Sequence, residues 1–164
     1  MAPALLVCGA KVKVRSFEGE RELSIENFFI GPGQTAIKHS ELLTEIQVPN
    51  LPTRSGSVYL KQTRTNGADL AVVGVAAMVE MDGEVVKDAK IALGAVAPTP
   101  FRVKNAERSL RGKSLDESIL EEVAQMASLE AKPIDDVRSS ADYRRKLIYV
   151  LAKRAIKGAI NKTG

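Results

Sequence analysis

The chain has 164 residues, 45% apolar and 27% charged, and its 24 Lys and Arg against 20 Asp and Glu give a net charge of +4. Such values belong to a globular protein of one domain or two small ones, burying roughly 70% of its unfolded surface, and they exclude intrinsic disorder and membrane-spanning helices. One cysteine, one histidine and 4% aromatics without Trp exclude an internal disulfide, a multi-thiolate cluster, an all-His metal site and an aromatic platform for nucleic acid.

The opening run Ala4-Leu5-Leu6-Val7-Cys8 is apolar, so Cys8 reads as a buried, inert thiol. No basic segment precedes that run, which excludes a secretory signal and points to a soluble, cytoplasmic protein. Lys11-Val12-Lys13-Val14-Arg15 alternates polar and apolar residues, the period of a half-buried strand. Glu18-Gly19 marks a turn into a second strand near 21–24. Phe28-Phe29-Ile30 is a short apolar piece, and Gly31-Pro32-Gly33 after it predicts a loop. His39, between Lys38 and Ser40, reads as a solvated loop histidine. A further strand is predicted over 42–48, and the stretch 49–56, PNLPTRSG, is the best linker in the chain. The domain boundary is placed there, giving a β-rich piece over 1–52 and an α+β domain over 53–164.

The second part begins with a strand over 58–62. Two long Val- and Ala-rich runs, 71–81 and 85–96, flank Asp82-Gly83, the strongest local hairpin signal available. A three-stranded antiparallel sheet follows, ended by Pro98 and Pro100 because proline cannot donate to a ladder. The remainder is helical and predicted to cover one face of that sheet. A short helix over 105–111 stops at Gly112, and Ser114 with Glu117 forms a capping box for the next, which runs to Glu130. The last helix starts near Ser140, with Tyr143, Leu147, Val150, Leu151, Ala155 and Ala159 as its apolar face. Arg144, Arg145, Lys153, Arg154 and Lys157 make a basic face, read as a solvated surface with an acidic partner as the alternative. Asp135-Asp136 is placed to meet helix N–H groups or Arg138. Neither Gly9-Ala10 nor Gly31-Pro32-Gly33 fits a dinucleotide fingerprint or a P-loop. The residues alone therefore describe a two-part α+β protein whose activity needs a cofactor or partners.

The order of segments carries the reading further. LKQTRTNGADLAVVGVAAMV precedes the Asp82-Gly83 hairpin, KIALGAVAPTPFR follows it, and then come the L-x-G at 110–112 and DDVRSSADYRRKLIYVLAKRAI. This ordered set resembles the C-terminal domain of the flavoprotein (medium) subunit of the molybdenum hydroxylases, the family of carbon monoxide dehydrogenase, xanthine dehydrogenase and 4-hydroxybenzoyl-CoA reductase. The stretch ALLVCGAKVKVRSFEGERELSIENFFIGPGQTAIKHSELLTEIQVP is similar to the last part of the same subunit's FAD-binding domain. The resemblance covers essentially the whole chain.

It implies an oxidoreductase subunit, inactive on its own. Electrons would pass from a molybdenum cofactor in a large subunit, through [2Fe-2S] clusters in a small subunit, to FAD and then to an acceptor. It also implies that the chain is the C-terminal half of such a subunit, because the family's glycine-rich pyrophosphate turn and a further Ser-Asp flavin contact have no equivalent here. The FAD site is thus expected to be partial. Two family contacts map onto residues present. Leu43, in the E-L-L-T-E-I-x-V-P strand, takes the position that packs on the flavin, and Lys61, in L-K-Q-T-R, matches the lysine reaching its polar edge. Asp69 reads as structural, fixing the strand entry. The competing reading is a non-catalytic assembly module that docks to partner subunits without holding flavin. Leu5, Leu6 and Val7 are expected to lie exposed where upstream sequence would cover them, favouring self-association.

Overall fold

A computed structural model describes residues 1–65 and 69–163. The chain opens with a helix, α1 (Ala2–Cys8), rather than with the strands the sequence suggested for its first third. Pro3 in the first turn and Gly9 in the left-handed conformation just past the last turn are its start and stop signals. Strands β1 (Lys11–Ser16) and β2 (Gly19–Ser24) form a hairpin, and Ile25–Asn27 adds one 3-10 turn capped by the Ser24 hydroxyl. The small hairpin β3 (Phe29–Gly31) and β4 (Gln34–Thr35) turns at Pro32-Gly33. Strand β5 (Leu42–Gln47) then returns to β1, giving an antiparallel sheet ordered β2-β1-β5.

The second sheet is antiparallel throughout. Strand β6 (Ser55–Gln62) pairs with β7 (Val73–Asp82), which pairs with β8 (Val85–Gly94). Asp82 lies opposite Val85 around a two-residue turn, and Gly83 supplies its positive φ of 61°. The sheet does not end at Pro98 and Pro100. After those prolines the chain returns as a two-residue strand, β9 (Phe101–Arg102), which adds a fourth strand, at the edge, to the predicted three. The linker is also shorter than the sequence suggested, because Ser55 and Gly56 already belong to β6. Gly56 is buried where β6 passes the end of the last helix, and a Cβ there would collide with the Ala159 carbonyl oxygen.

Helices α2 (Lys104–Leu110), α3 (Glu117–Glu130) and α4 (Ala141–Ile160) follow. The cap of α3 is Asp116, not Ser114: its carboxylate accepts from Ile119 N at 2.8 Å, and Ser114 instead bridges to Val85. Ser140 caps α4 as expected, accepting from Tyr143 N. All three helices pack on one face of the sheet. Strand alternation sends Val73, Val75, Ala77 and Val79 towards Val123, Ala127, Ile148, Ala152 and Ile156. Ala76, Met78 and Ala92 point the other way, into a second cluster with Leu6, Val7, Val12, Ile25 and Phe28.

That second cluster overturns one expectation. Leu6 and Val7 are fully buried and Leu5 partly so, because α1 lays its apolar side on the back of the sheet. Cys8 is half-buried beside them, and burial pushes its thiol pKa up against the opposing charge of Lys90. The two clusters are further tied by Arg102, which donates to Glu107 at 2.8 and 2.6 Å and to Glu26 at 2.5 Å. Among the described residues no helix is long and apolar enough to cross a membrane.

The apolar face of α4 differs from the sequence reading. Arg144, Ile148, Leu151, Ala152, Ala155, Ile156 and Ala159 face inwards, while Tyr143 is exposed and Val150 partly so. Much of the basic face is also consumed within the chain. Lys153 pairs with Glu117 and Glu121, and Lys157 with Glu117.

Candidate functional site

Both residues singled out in the sequence lie on edge strands. Leu43 is in β5, the outer strand of the first sheet, opposite Val14. Thr44 is an inserted residue between two registers, and its hydroxyl donates to the Lys13 carbonyl at 3.2 Å. The bulge returns Ile46 to the face of Leu43, opposite Val12. Val12 and Val14 are buried on that face, yet their partners Ile46 and Leu43 are 45% and 39% exposed. The apolar face therefore continues one strand beyond its cover. On the other side, a groove of about 380 Å³ runs between Leu42, Thr44, Arg15 and Phe17.

The entry of β5 is fixed by charge. Arg21 donates two hydrogen bonds to the Glu41 carboxylate, at 2.6 and 2.8 Å, and a third to the Ala36 carbonyl at 2.8 Å. Lys38 N donates to the same carboxylate at 2.7 Å. The Arg21 guanidinium first, and then the Lys38 N–H, hold the Glu41 pKa down at about 2.

Lys61 is in β6, the outer strand of the second sheet, opposite Gly74. Its ammonium is exposed and donates to the Asp69 carbonyl at 3.2 Å. The Asp69 side chain accepts from Leu70 N at 2.7 Å and from the Thr65 N–H and hydroxyl at 3.2 and 3.3 Å. These bonds, the Leu70 N–H foremost, lower its pKa and give Asp69 the structural role expected of it. Gly67 and Ala68, which precede it in the motif, lie outside the described residues. The structure leaves Leu43 and Lys61 on different sheets and forms no direct pair between them.

Sequence reasoning missed one buried polar cluster. Arg144 is 2% exposed, although the sequence places it on the solvated basic face. It donates to the Ala95 carbonyl at 2.7 Å and to Asp136 at 2.5 Å, and its Nε is buried without a partner among the described residues. Ala95 adopts a φ of +64°, so Arg144 holds the loop after β8 in a left-handed bend that a non-glycine residue seldom takes. Asp136 accepts further bonds from Arg138 and Ser139 N–H, and Asp135 accepts from Ala141 N at 2.6 Å. The acidic pair thus does what the sequence suggested, with Arg144 as an added partner. Arg138 foremost, with its own N–H, Arg144 and Ser139 N–H, holds the Asp136 carboxyl well below the usual range against desolvation. A signal for Arg144 existed: it shares a 3- and 4-residue spacing with Ile148, Leu151, Ala152 and Ala155. With Val96, Pro133 and Pro32 the cluster borders a cavity of about 400 Å³.

The model of the CO dehydrogenase flavoprotein C-terminal domain matches residues 58–159, and that of the FAD binding domain in molybdopterin dehydrogenase matches 1–51. The chain belongs to the CO dehydrogenase flavoprotein family. Among curated relatives, the glyceraldehyde dehydrogenase medium chain of Sulfolobus acidocaldarius is 34% identical over 96% of this chain and 55% of its own length. The carbon monoxide dehydrogenase medium chain of Afipia carboxidovorans is 35% identical over 96% of this chain and 54% of its own. The xanthine dehydrogenase FAD-binding subunit of Escherichia coli O157:H7 is 29% identical over 99% and 56%. Among solved structures, reconstituted CO dehydrogenase from Oligotropha carboxidovorans superposes with a TM-score of 0.91 at 33% identity, covering 98% of this chain and 56% of that one. The chain spans about half the length of the curated relatives it matches.

Proposed function

We propose that this chain is the C-terminal half of the FAD-binding medium subunit of a molybdenum hydroxylase, passing electrons from molybdenum and [2Fe-2S] centres in partner subunits through FAD to an acceptor. On this reading residues 1–52 are the end of the FAD-binding domain and 53–164 the C-terminal α+β domain of a soluble cytoplasmic complex. The observation that carries it is the open apolar face of β5, in a chain whose relatives include a named FAD-binding subunit and extend to nearly twice its length.

The residues present fit part of a flavin. Leu43 offers half-exposed apolar surface on a strand fixed by the Arg21–Glu41 pair, suited to packing against a planar ring. Lys61 holds an exposed ammonium whose described contact is a single backbone carbonyl, so the cation is free to meet a polar ring edge. Bound there, FAD supplies two-electron chemistry that no side chain here can, and a cation beside its pyrimidine edge favours the negative charge gained on reduction. Leu43 positions and excludes water; Lys61 stabilises charge. The described residues hold no glycine-rich turn leading into a helix N-terminus for the pyrophosphate. The face left open at β5 is also where we place any self-association of the chain by itself.

The test is complementation. The chain is co-expressed with the N-terminal half of the Afipia carboxidovorans medium chain, and the purified pair is examined for visible flavin absorbance. We expect yellow protein from the pair, none from the chain alone, and loss of colour with Leu43→Asp. A folded, associated pair that stays colourless in excess FAD contradicts the reading and favours the assembly module.

A further inference from the structure

We infer that the outer groove between α3 and α4 is a docking site for an acidic, apolar-centred helical segment of another chain. The inference does not rest on the flavin reading.

The groove has a volume of about 610 Å³ and lies on the side of α4 away from the sheet. Its floor is fixed, because the Ser128 hydroxyl of α3 donates to the Arg145 carbonyl of α4 at 3.0 Å. Its apolar lining is uncovered: Leu129 is 69% and Val150 38% exposed, and Tyr149 lies beside them half-buried. Helix geometry aligns Tyr143, Lys146, Val150 and Arg154 as one stripe at spacings of three and four. Of these, Lys146 and Val150 line the groove and Tyr143 and Arg154 flank it a turn away on either side, so exposed apolar side chains alternate with cations along it, a pattern that anchors a partner through its centre and orients it through its edges.

The charge of this stripe gives the partner its chemistry. The other cations of α4 are neutralised within the chain: Arg144 by Asp136, Lys153 by Glu117 and Glu121, and Lys157 by Glu117. Among the described residues, neither Lys146 nor Arg154 has a carboxylate partner. Arg145 has only the distant, exposed Asp142 at 3.6 Å. Arg145 and Lys146 line the groove together with Asp142, the carboxylate beside Arg145, and Arg154 lies one turn beyond it, so the cations of α4 without a carboxylate of their own sit at or next to its apolar lining. A segment carrying carboxylates beside a Leu or Met stripe complements both features. A nucleic acid would meet the cations but leave Leu129 and Val150 without apolar contact.

Two fluorescein-labelled synthetic helices with the same leucine stripe, one flanked by Glu and one by Lys, test the inference on the 164-residue chain. By fluorescence anisotropy the Glu-flanked helix should bind about tenfold more tightly or better. Amide shifts on titration should map to Leu129, Lys146 and Val150. Lys146→Glu combined with Arg154→Glu, both at exposed positions, should reverse the preference, and Leu129→Ser should weaken both helices. Equal binding of the two helices, binding of neither, or shifts that map to β5 instead would overturn it.

Discussion

Strands β7 and β5 are both rich in apolar residues, yet they end in opposite environments. From Val73 to Val79 every residue of β7 is buried, with α3 and α4 over one face and α1 over the other. In β5 every residue but Gln47 is exposed, although Leu42, Leu43 and Ile46 are as apolar as anything in β7. Composition does not separate the two. Cover does: β7 sits mid-sheet between two layers, while β5 is an edge whose apolar face outruns the cluster formed by Val12 and α1. An uncovered apolar edge marks a place where something else belongs.

The sharpest way to break this contrast is to shorten one side chain on each side of it. Ile91→Ala, in the strand beside β7, should cost about 3 kcal/mol, because the side chain is fully buried and its site is walled by sheet and helices. Leu43→Ser should cost less than about 0.5 kcal/mol, since little packing is lost at a half-open edge. Urea unfolding of both variants reads the difference directly. Similar losses would mean that β5 is covered in solution.

Next in size is Arg144→Met, expected to destabilise by about 2 kcal/mol by leaving the Ala95 carbonyl and one side of Asp136 unpaired. In the double variant with Asp136→Asn the losses should be less than additive. Additive losses would show that the bonds seen between these groups are not coupled.

Lys61→Met probes the exposed side of the comparison. In the complemented, flavin-bearing pair the midpoint potential should fall by an amount on the order of tens of millivolts, as the loss of a nearby cation from a two-electron couple requires. In the chain alone its urea midpoint should not move. An unchanged potential would make Lys61 a surface lysine and nothing more.

The smallest effect is in the acid limb. Lys153 and then Lys157 hold the Glu117 pKa at about 2, against an ordinary value of 4.5. The folded-state value is depressed, so this contribution is complete above about pH 4.5 and disappears as pH falls towards 2. Glu117→Gln should therefore flatten the fall of melting temperature across that window and leave its shape near neutrality unaltered. An unchanged acid slope would place these lysines in solvent rather than on Glu117.

How far the sequence carried depends on whether a feature is local. The Asp82-Gly83 hairpin, the Ser140 cap, the strand period of β1 and the Val- and Ala-rich run of β7 are written in adjacent residues, and all are found. Helix α1 was missed because seven residues carry too little period to distinguish a helix from a strand, and only packing on β8 and β7 decides it. The expectation that Leu5, Leu6 and Val7 lie exposed for want of upstream sequence fails because Ala76, Met78 and Ala92, from a distant part of this chain, cover them. Arg144 was misplaced because a charged residue on an inward face is legible only once its partners, Asp136 and the Ala95 carbonyl, are known. Of the candidate site, the strands and residue types of Leu43 and Lys61 were legible; the bulge at Thr44 that sets Leu43 and Ile46 on one face was not.

On the proposed function, flavin and the complementing N-terminal half cover the β5 face. Hydrogen exchange tests it most directly, followed amide by amide in the 164-residue chain and again after addition of the complementing half with FAD. In the chain alone the outward-pointing amides of β5 should exchange fast while those of β7 exchange slowly; on complementation with FAD the β5 amides should slow markedly and those of β7 should not change. Protection of β5 that already equals that of β7 in the chain alone, or that stays unaltered in the FAD-loaded pair, would contradict the claim.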